Sequence, residues 1–549
     1  MHDPPCIDVY RVHHGLELMN YKVDSIAVRA RFILILAVMV WAGNFLGTAA
    51  SAKKQSEGKK EKPGQFFAEA KVRVFDIEIP DAGVTSLRRS PRTNVSGTVR
   101  EGNHVLTNVA IHLKGMGSFR MVDEKASFAV KFNEFVPGQE YFGLTKLMFN
   151  NAVQDPTYVA EYLATGLFRD AHLPAARVTH ARVRLNGKDL GLYVVIEAMN
   201  KHFLKNHFKS TEGNLYEGYL KDIDARLEND NAEASDQSDV QKLRLACSIP
   251  ESKARLQAMG KLLDVDKFVS FAAMEILVGH WDGYSIHTNN YRLYHDPGTD
   301  KMVFITHGLD WAFRRPNLSI HTPLKSIVGR ALFETGEGAS LFRNRIGSLF
   351  TNVFQVELIT NRMDQALRKL RSAGLSAAEL AKVEKNAAIM RERIVLRGVR
   401  VSEQLAGIEP PALKFDQTGV VHLDGWREES DRGEPVMEQN DYEGKHTLHS
   451  VAAGGRSRGS WRTQIYLARG RYRLEGSAAS KGLLNGSAGI RISGGQRQSS
   501  VSRTTSWTRL ENEFEVTDAG LDVEVVCDFY GTEGEVWFDA DSLVIRKLR

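Results

Sequence analysis

Apolar and polar positions alternate between residues 67 and about 133, and the runs VRVFDIEI (72–79), VAIHLKG (109–115) and SFAVKFN (127–133) predict strands. Two further runs, VTHARVRL (178–185) and LGLYVVIEA (190–198), flank Asn186-Gly187, a pair that favours a two-residue hairpin turn. The spacing changes to a helical period over 155–168, where Asp155-Pro156 supplies a start signal, and again over 256–278, 339–371 and 377–405. Past GIEPPA (407–412) the chain becomes rich in Gly and Ser. Short alternating runs return there at 463–478, 488–493, 509–516 and 535–548, a pattern that predicts a β-sandwich.

The one long apolar run covers residues 32–49, follows Arg29 and Arg31, and ends in Ala49-Ala50-Ser51-Ala52. This is the make-up of a signal peptide cleaved after Ala50 or Ala52, with Met19 as an alternative start and an uncleaved anchor as the competing reading. Export, to the periplasm, the cell surface or the medium, follows from it. The next stretch, KKQSEGKKEKPG (53–64), reads as a disordered tether. The expected division is a signal peptide at 1–52, a tether at 53–66, a mixed domain at 67–405, a linker at 406–412 and a sandwich at 413–549.

Charge adds little. The formal net charge of +5 includes +3 within residues 1–62, and the remainder is nearly balanced, which argues against a nucleic-acid binder. Cys247 and Cys527 are expected in different domains and unbridged, and no P-loop, GxSxG or zinc-spaced Cys/His set occurs.

Candidate chemistry concentrates at 280–313, HWDGYSIHTNNYRLYHDPGTDKMVFITHGLDWAF. Asp282, Asn290 and Asp310 fall on three loops between short apolar runs, an arrangement able to aim oxygen ligands at one hard cation. Their order is that of a kinase centre: a base Asp, a metal-binding Asn shortly after it, and a metal-binding Asp following a strand. The bland reading makes Asp282 a turn residue and Asp310 a loop cap. His280, His287 and His307 lie on the same loops, and a His/Asp metal site competes there with packing roles.

Four ordered stretches carry a resemblance: LKGMGS (113–118) with KASFAVK (125–131), MFNNAVQD (148–155), LNGKDLGLYVVIE (185–197), and 280–313. Over 67–405 the chain resembles the secreted branch of the spore-coat protein H (CotH) kinase family. That resemblance implies an α+β fold, an atypical two-lobed protein-kinase-like domain ahead of the all-β sandwich. It also implies ATP and Mg²⁺ or Mn²⁺ as cofactors and protein hydroxyls as acceptors. Asp282 takes the place of the catalytic base, and Asn290 and Asp310 those of the metal ligands, with Asn289 an alternative in a shifted register. Lys125 is the first candidate for the phosphate-pairing lysine, with Glu161 orienting it; Lys114 and Lys131 compete. Glu197 is placed like a hinge residue beside the adenine, against a bland reading as a strand-end carboxylate.

The chain departs from the family pattern at Gly308, where a carboxylate is common, at Ala160, where a basic residue is frequent, and at Lys114, where Arg is usual. AMP transfer or glutamylation on the same fold, or a non-catalytic glycan-binding surface protein, are the alternatives. Residues 463–474 and 534–541 are similar to galactose-binding-like, carbohydrate-binding modules, which implies polysaccharide as a partner. Trp461, Tyr466 and Trp507 are the candidate stacking platforms, although alternating core aromatics would explain them equally.

Overall fold

Seven strands close into a barrel in the order β1-β2-β3-β4-β5-β7-β6. They are β1 (Arg73–Glu78), β2 (Val95–Glu101), β3 (His104–Lys114), β4 (Ser127–Lys131), β5 (Lys146–Asn150), β6 (Val178–Leu185) and β7 (Lys188–Glu197). The computed structural model describes residues 62–549 apart from 69, 231–235, 410, 434, 453–454 and 549, and apart from the side chains of 518 and 519. The expected signal peptide and most of the tether lie outside these residues. The tether's expected end does not hold: Pro63–Ala68 is helical and buries Phe66 at 1% exposure in the barrel core.

Local chemistry explains the barrel's best-predicted corner. Asn186 and Gly187 take φ of 48° and 80°, as a two-residue turn between β6 and β7 requires. Asn186 then exchanges hydrogen bonds with the backbone of Ile79 (2.7 and 2.8 Å), which ties the turn to the end of β1. β1 and β6 run parallel and close the barrel.

Beyond β7 the chain is less helical than its periodicity suggests. A sheet ordered β11-β10-β8-β9 sits among the helices, built from β8 (Leu215–Gly218), β9 (Glu228–Asn229), β10 (Tyr291–Asp296) and β11 (Lys301–Thr306). The helix expected over 256–278 is two, Ser252–Leu262 and Val265–Leu277. Leu263 bridges to Met302 between them, and Asp264 caps the second helix through Lys267 N. The stretch 339–371 likewise divides into Gly336–Asn352 and Val356–Arg371. Ala377–Leu405 is one helix, started by a capping box between Ser376 and Glu379.

The C-terminal region is all-β, and its eight strands hydrogen-bond into one connected sheet around a single apolar core. They are β12 (Val420–His422), β13 (Arg427–Arg432), β14 (Val436–Tyr442), β15 (Lys445–Val451), β16 (Ser457–Ile492), β17 (Val501–Gly531), β18 (Glu533–Asp539) and β19 (Val544–Lys547). Register shifts near Ala468/Gly470 and between Ala478 and Ser487 bend the long β16 against β17. Cys247 and Cys527 are buried and free in separate cores. Among the described residues no helix is long and apolar enough to cross a membrane.

One buried cation ties the helical region together. Arg397, 1% exposed on Ala377–Leu405, donates to the carbonyls of Ile276 (2.8 Å), Leu277 (3.1 Å), Pro316 (3.2 Å) and Leu318. It thereby adds a donor to carbonyls at the end of Val265–Leu277, where Ile276 O also accepts from Gly279 N, and in the segment after Asp310. Arg397→Met should cost about 3 kcal/mol or more, because several buried carbonyls lose their donor at once. Thermal unfolding reads this as a clear fall in Tm, and an unchanged Tm would refute the role.

Candidate functional site

The register of one hairpin assembles the site. β10 pairs antiparallel with β11, Tyr291 opposite Thr306, so Asn290 and His307 leave the ladder side by side, with His307 N donating to Asn290 O at 3.2 Å. Asn290 takes φ 51° and turns Nδ2 onto Asp282, at 2.9 Å from Oδ2 and 3.0 Å from the backbone oxygen. Asn289 Nδ2 donates to the other carboxylate oxygen at 3.2 Å. On the far side, Gly308 has φ 60°, and a Cβ there would lie 2.7 Å from Asn290 Oδ1. Both features favour glycine here, the position at which the chain departs from the family pattern.

The turn carrying Asp282 is held from below. Glu275, fully buried on Val265–Leu277, accepts from Tyr284 N and Ser285 N, each at 2.9 Å. These amides open the short helix Tyr284–His287. A Cβ on Gly283 would sit 2.2 Å from Glu275 Oε1, so the turn packs directly on this carboxylate. Burial pushes Glu275 up to about 7, opposed by those hydrogen bonds. Sequence reading missed Glu275, whose only signal was an acid inside an otherwise apolar helix.

Asp310 faces a second group of charges. Glu161, 3% exposed in the first turn of Ala160–Asp170, has a buried Oε2 without a hydrogen-bond partner. Burial pushes both carboxyls above the usual range; the Asp310 charge adds to the effect on Glu161, and the Asp155 charge to that on Asp310. Asp155 itself caps the helix start through Thr157 N (3.0 Å) and Ala160 N (2.9 Å). Lys114, the last residue of β3, donates to Asn150 Oδ1. Burial pulls it down to about 8, against the attraction of Glu161, Asp310 and Glu217.

Lys114, then, is the lysine that bears on Glu161 and Asp310. Lys125 is directed elsewhere, donating to the Tyr158 hydroxyl at 2.9 Å with the Tyr158 and Tyr193 rings 5.0 and 5.3 Å from its Nζ. Glu197 is committed to Arg177, which donates to it through Nε (2.8 Å), backbone N (3.1 Å) and Nη2. That ties the end of β7 to the start of β6 and leaves Glu197 in a structural position.

The oxygen donors suit a hard divalent cation. Asn290 spends its amide nitrogen on Asp282 and keeps Oδ1 beside Gly308, where no Cβ intrudes, and Glu161 Oε2 is a buried oxygen without a hydrogen-bond partner in the same group of charges as Asp310. Among the described residues no three His, Cys, Asp or Glu side chains gather to hold a metal, at the histidine loops or beside Asp310. His280 is fully buried, His287 is exposed, and His307 lies near Arg292 and Glu217.

The aromatic candidates separate. Trp461 is a core residue, 1% exposed, donating Nε1 to Ser450 Oγ at 3.0 Å, and so is no platform. Tyr466 lies over Gly520, where a Cβ would come within 2.0 Å of its hydroxyl. Trp507 is half-buried, donates to Glu443 at 2.8 Å, and neighbours Tyr442, which stacks on Trp537 with centroids 4.1 Å apart.

A family profile described as CotH kinase protein matches residues 111–395, more than half of the chain. The chain belongs to the CotH kinase protein family. Two curated relatives from Rhizopus delemar are similar to it. Invasin CotH2 is 21% identical over 282 residues, 46% of this chain and 47% of that protein. Invasin CotH3 is 22% identical over 253 residues, 41% of each. The chain thus spans less than half the length of these relatives. Among solved structures, the Helicobacter pylori proinflammatory kinase CtkA aligns over 53% of this chain and 96% of its own, at 8% identity and a TM-score of 0.27. A carbohydrate-binding module, TmCBM61, solved with β-1,4-galactotriose, aligns over 24% and 92%, at 17% identity and a TM-score of 0.19. Superpositions this loose do not bear on the chemistry.

Two substitutions test these placements. Gly308→Ala should cost about 1–3 kcal/mol through left-handed strain and the contact with Asn290, and unfolding should begin several degrees lower. Trp461→Ala should cost about 3–5 kcal/mol as a core truncation, whereas Trp507→Ala should stay within about 1 kcal/mol. Equal losses at the two tryptophans would contradict their assigned positions.

Proposed function

We propose that this chain is an atypical kinase that transfers the γ-phosphoryl group of ATP to a protein hydroxyl. The observation that carries the reading is the hydrogen-bonded pair Asp282–Asn290 beside the Gly308–Asp310 loop, with Lys114 and Glu161 facing Asp310. Phosphoryl transfer asks a protein for positioned charge and an oriented acceptor more than for covalent chemistry. In the proposed step the acceptor oxygen bonds to the γ-phosphorus, the bond to the β–γ bridging oxygen breaks, and ADP leaves. Asp282 accepts the hydroxyl proton. Asn290, by holding Asp282 at 2.9 Å, fixes where that proton goes. Lys114 supplies a buried positive charge for the phosphates, and Glu161 orients it. Asn290 and Asp310 would hold Mg²⁺ or Mn²⁺, which when bound neutralises phosphate charge.

Family membership supports kinase chemistry at the level of the class, and the export expected from residues 32–52 would put the acceptor outside the cytoplasm. Engagement of polysaccharide by the β-region rests on its sequence resemblance, with half-buried Trp507 as the remaining accessible tryptophan among the three candidates.

Metal-dependent ATP binding by the purified protein, compared with Asp310→Ala, tests the reading. Binding should be lost in the variant and in chelator. Label from γ-phosphate should then appear on acceptor protein, whereas retained α-label would replace the reading with AMP transfer. Lys114→Met should weaken ATP binding about a hundredfold and Lys125→Met far less. Asp282→Asn should retain ATP binding while kcat falls by about 10²–10⁴. No ATP binding with either metal would sink the reading.

A further inference from the structure

The β-region packs against the candidate site. Asn317, seven residues after Asp310, donates its backbone N and Nδ2 to Asp522 of β17 at 2.9 and 2.7 Å. Gln464 of β16 donates to Arg314 O at 2.8 Å. Along this seam lies a cavity of about 420 Å³ bordered by Asp155 and Asp310 on one side and by β-region residues on the other. Its lining includes Asp310 but not Lys114, Glu161 or Asn290.

The cavity's charged groups differ in how directly they are partnered. Its β-region carboxylates have cationic partners: Glu524 and Glu429 pair with Arg462 at 3.0 and 3.3 Å, and Glu428 with Lys385 at 2.7 Å. Asp155 is spent on its helix cap. Arg393, on Ala377–Leu405, is largely buried, yet its guanidinium enters no hydrogen bond or ion pair among the described residues. The same holds for the Arg427 side chain, which enters from β13. Arg314 borders the same space and gives one guanidinium nitrogen to Gln154 O. Burial and the neighbouring Arg427 and Arg314 charges pull Arg393 down to about 10, and the charges of Glu524 and Glu429, which Arg462 and Arg427 share, offset this only in part. A bound oxyanion would oppose both effects, and planar guanidinium groups match carboxylate and phosphate geometry.

We propose that this cavity receives an oxyanion, carboxylate or phosphate, carried by the acceptor protein near the hydroxyl that is modified, so that the β-region forms one wall of the acceptor site. The proposal rests on the phosphotransfer reading for the word acceptor, while the anion pocket is measurable without it.

The test is fluorescence anisotropy of the full chain with labelled serine peptides flanked by Glu, by Gln, or by phosphoserine. ATP binding is measured separately, so a failed kinase reading and a failed pocket are told apart. The Glu or phosphoserine peptide should bind about tenfold more tightly than the Gln peptide. Arg393→Gln and Arg427→Gln, which lie on different elements, should each remove most of that preference while leaving Gln-peptide affinity and Tm near those of the parent. Whichever anionic peptide binds more tightly identifies the group. Equal affinity for Glu and Gln peptides, or a preference that survives both substitutions, would overturn the proposal. So would displacement of the peptide by ATP in the parent protein, which would make the pocket a nucleotide phosphate site.

Discussion

The candidate site depends on where the β10–β11 ladder ends. Pairing of Tyr291 with Thr306 sets Asn290 and His307 side by side, and that adjacency places the amide of Asn290 between Asp282 and the loop leading to Asp310. A slip of one residue would turn every side chain of the hairpin to the opposite face and separate the three loops. Gly308 is the counterpart of this constraint: the loop passes so close to Asn290 Oδ1 that a side chain would be in contact. Glu275 and Arg397 serve the same geometry from underneath. One holds the amides that follow Asp282; the other holds the carbonyls at the end of the preceding helix and beyond Asp310.

This geometry is bought with buried charge. Lys114, Glu161, Asp310 and Asp155 share a poorly solvated region, and burial moves each away from its ordinary value, toward the uncharged form. Such a cluster is poor stabilising material, since desolvation offsets much of the mutual attraction. It stands beside three well-formed apolar cores that need no such group, which fits the phosphotransfer reading proposed above. The seam with the β-region, which also borders Asp310, brings arginines and carboxylates together in the same way.

The sequence by itself determined the elements whose signals are local. The Asn186-Gly187 turn needs two residues that tolerate positive φ, and the Ser376/Glu379 box needs only its own helix start. The loops bearing Asp282, Asn290 and Asp310 were legible for a related reason: short apolar strands and a helix on either side leave the polar residues between them nowhere else to go. Periodicity overran the breaks at 263–264 and 353–355, because an apolar residue at a helix break continues the pattern while its backbone turns away.

Only the tertiary structure decided which partners meet. The sequence put Lys125 ahead of Lys114, whereas in the fold Lys114 bears on Glu161 and Lys125 donates to Tyr158. Trp461 and Trp507 look alike along their strands, yet one fills the β-region core and the other remains half-buried at its edge. Glu197 met Arg177, and Arg393 met Arg427 across the seam, through contacts between segments that no local pattern relates. Backbone preference acts over a few residues and is written in their order; burial and charge act through space, and depend on what folding brings alongside.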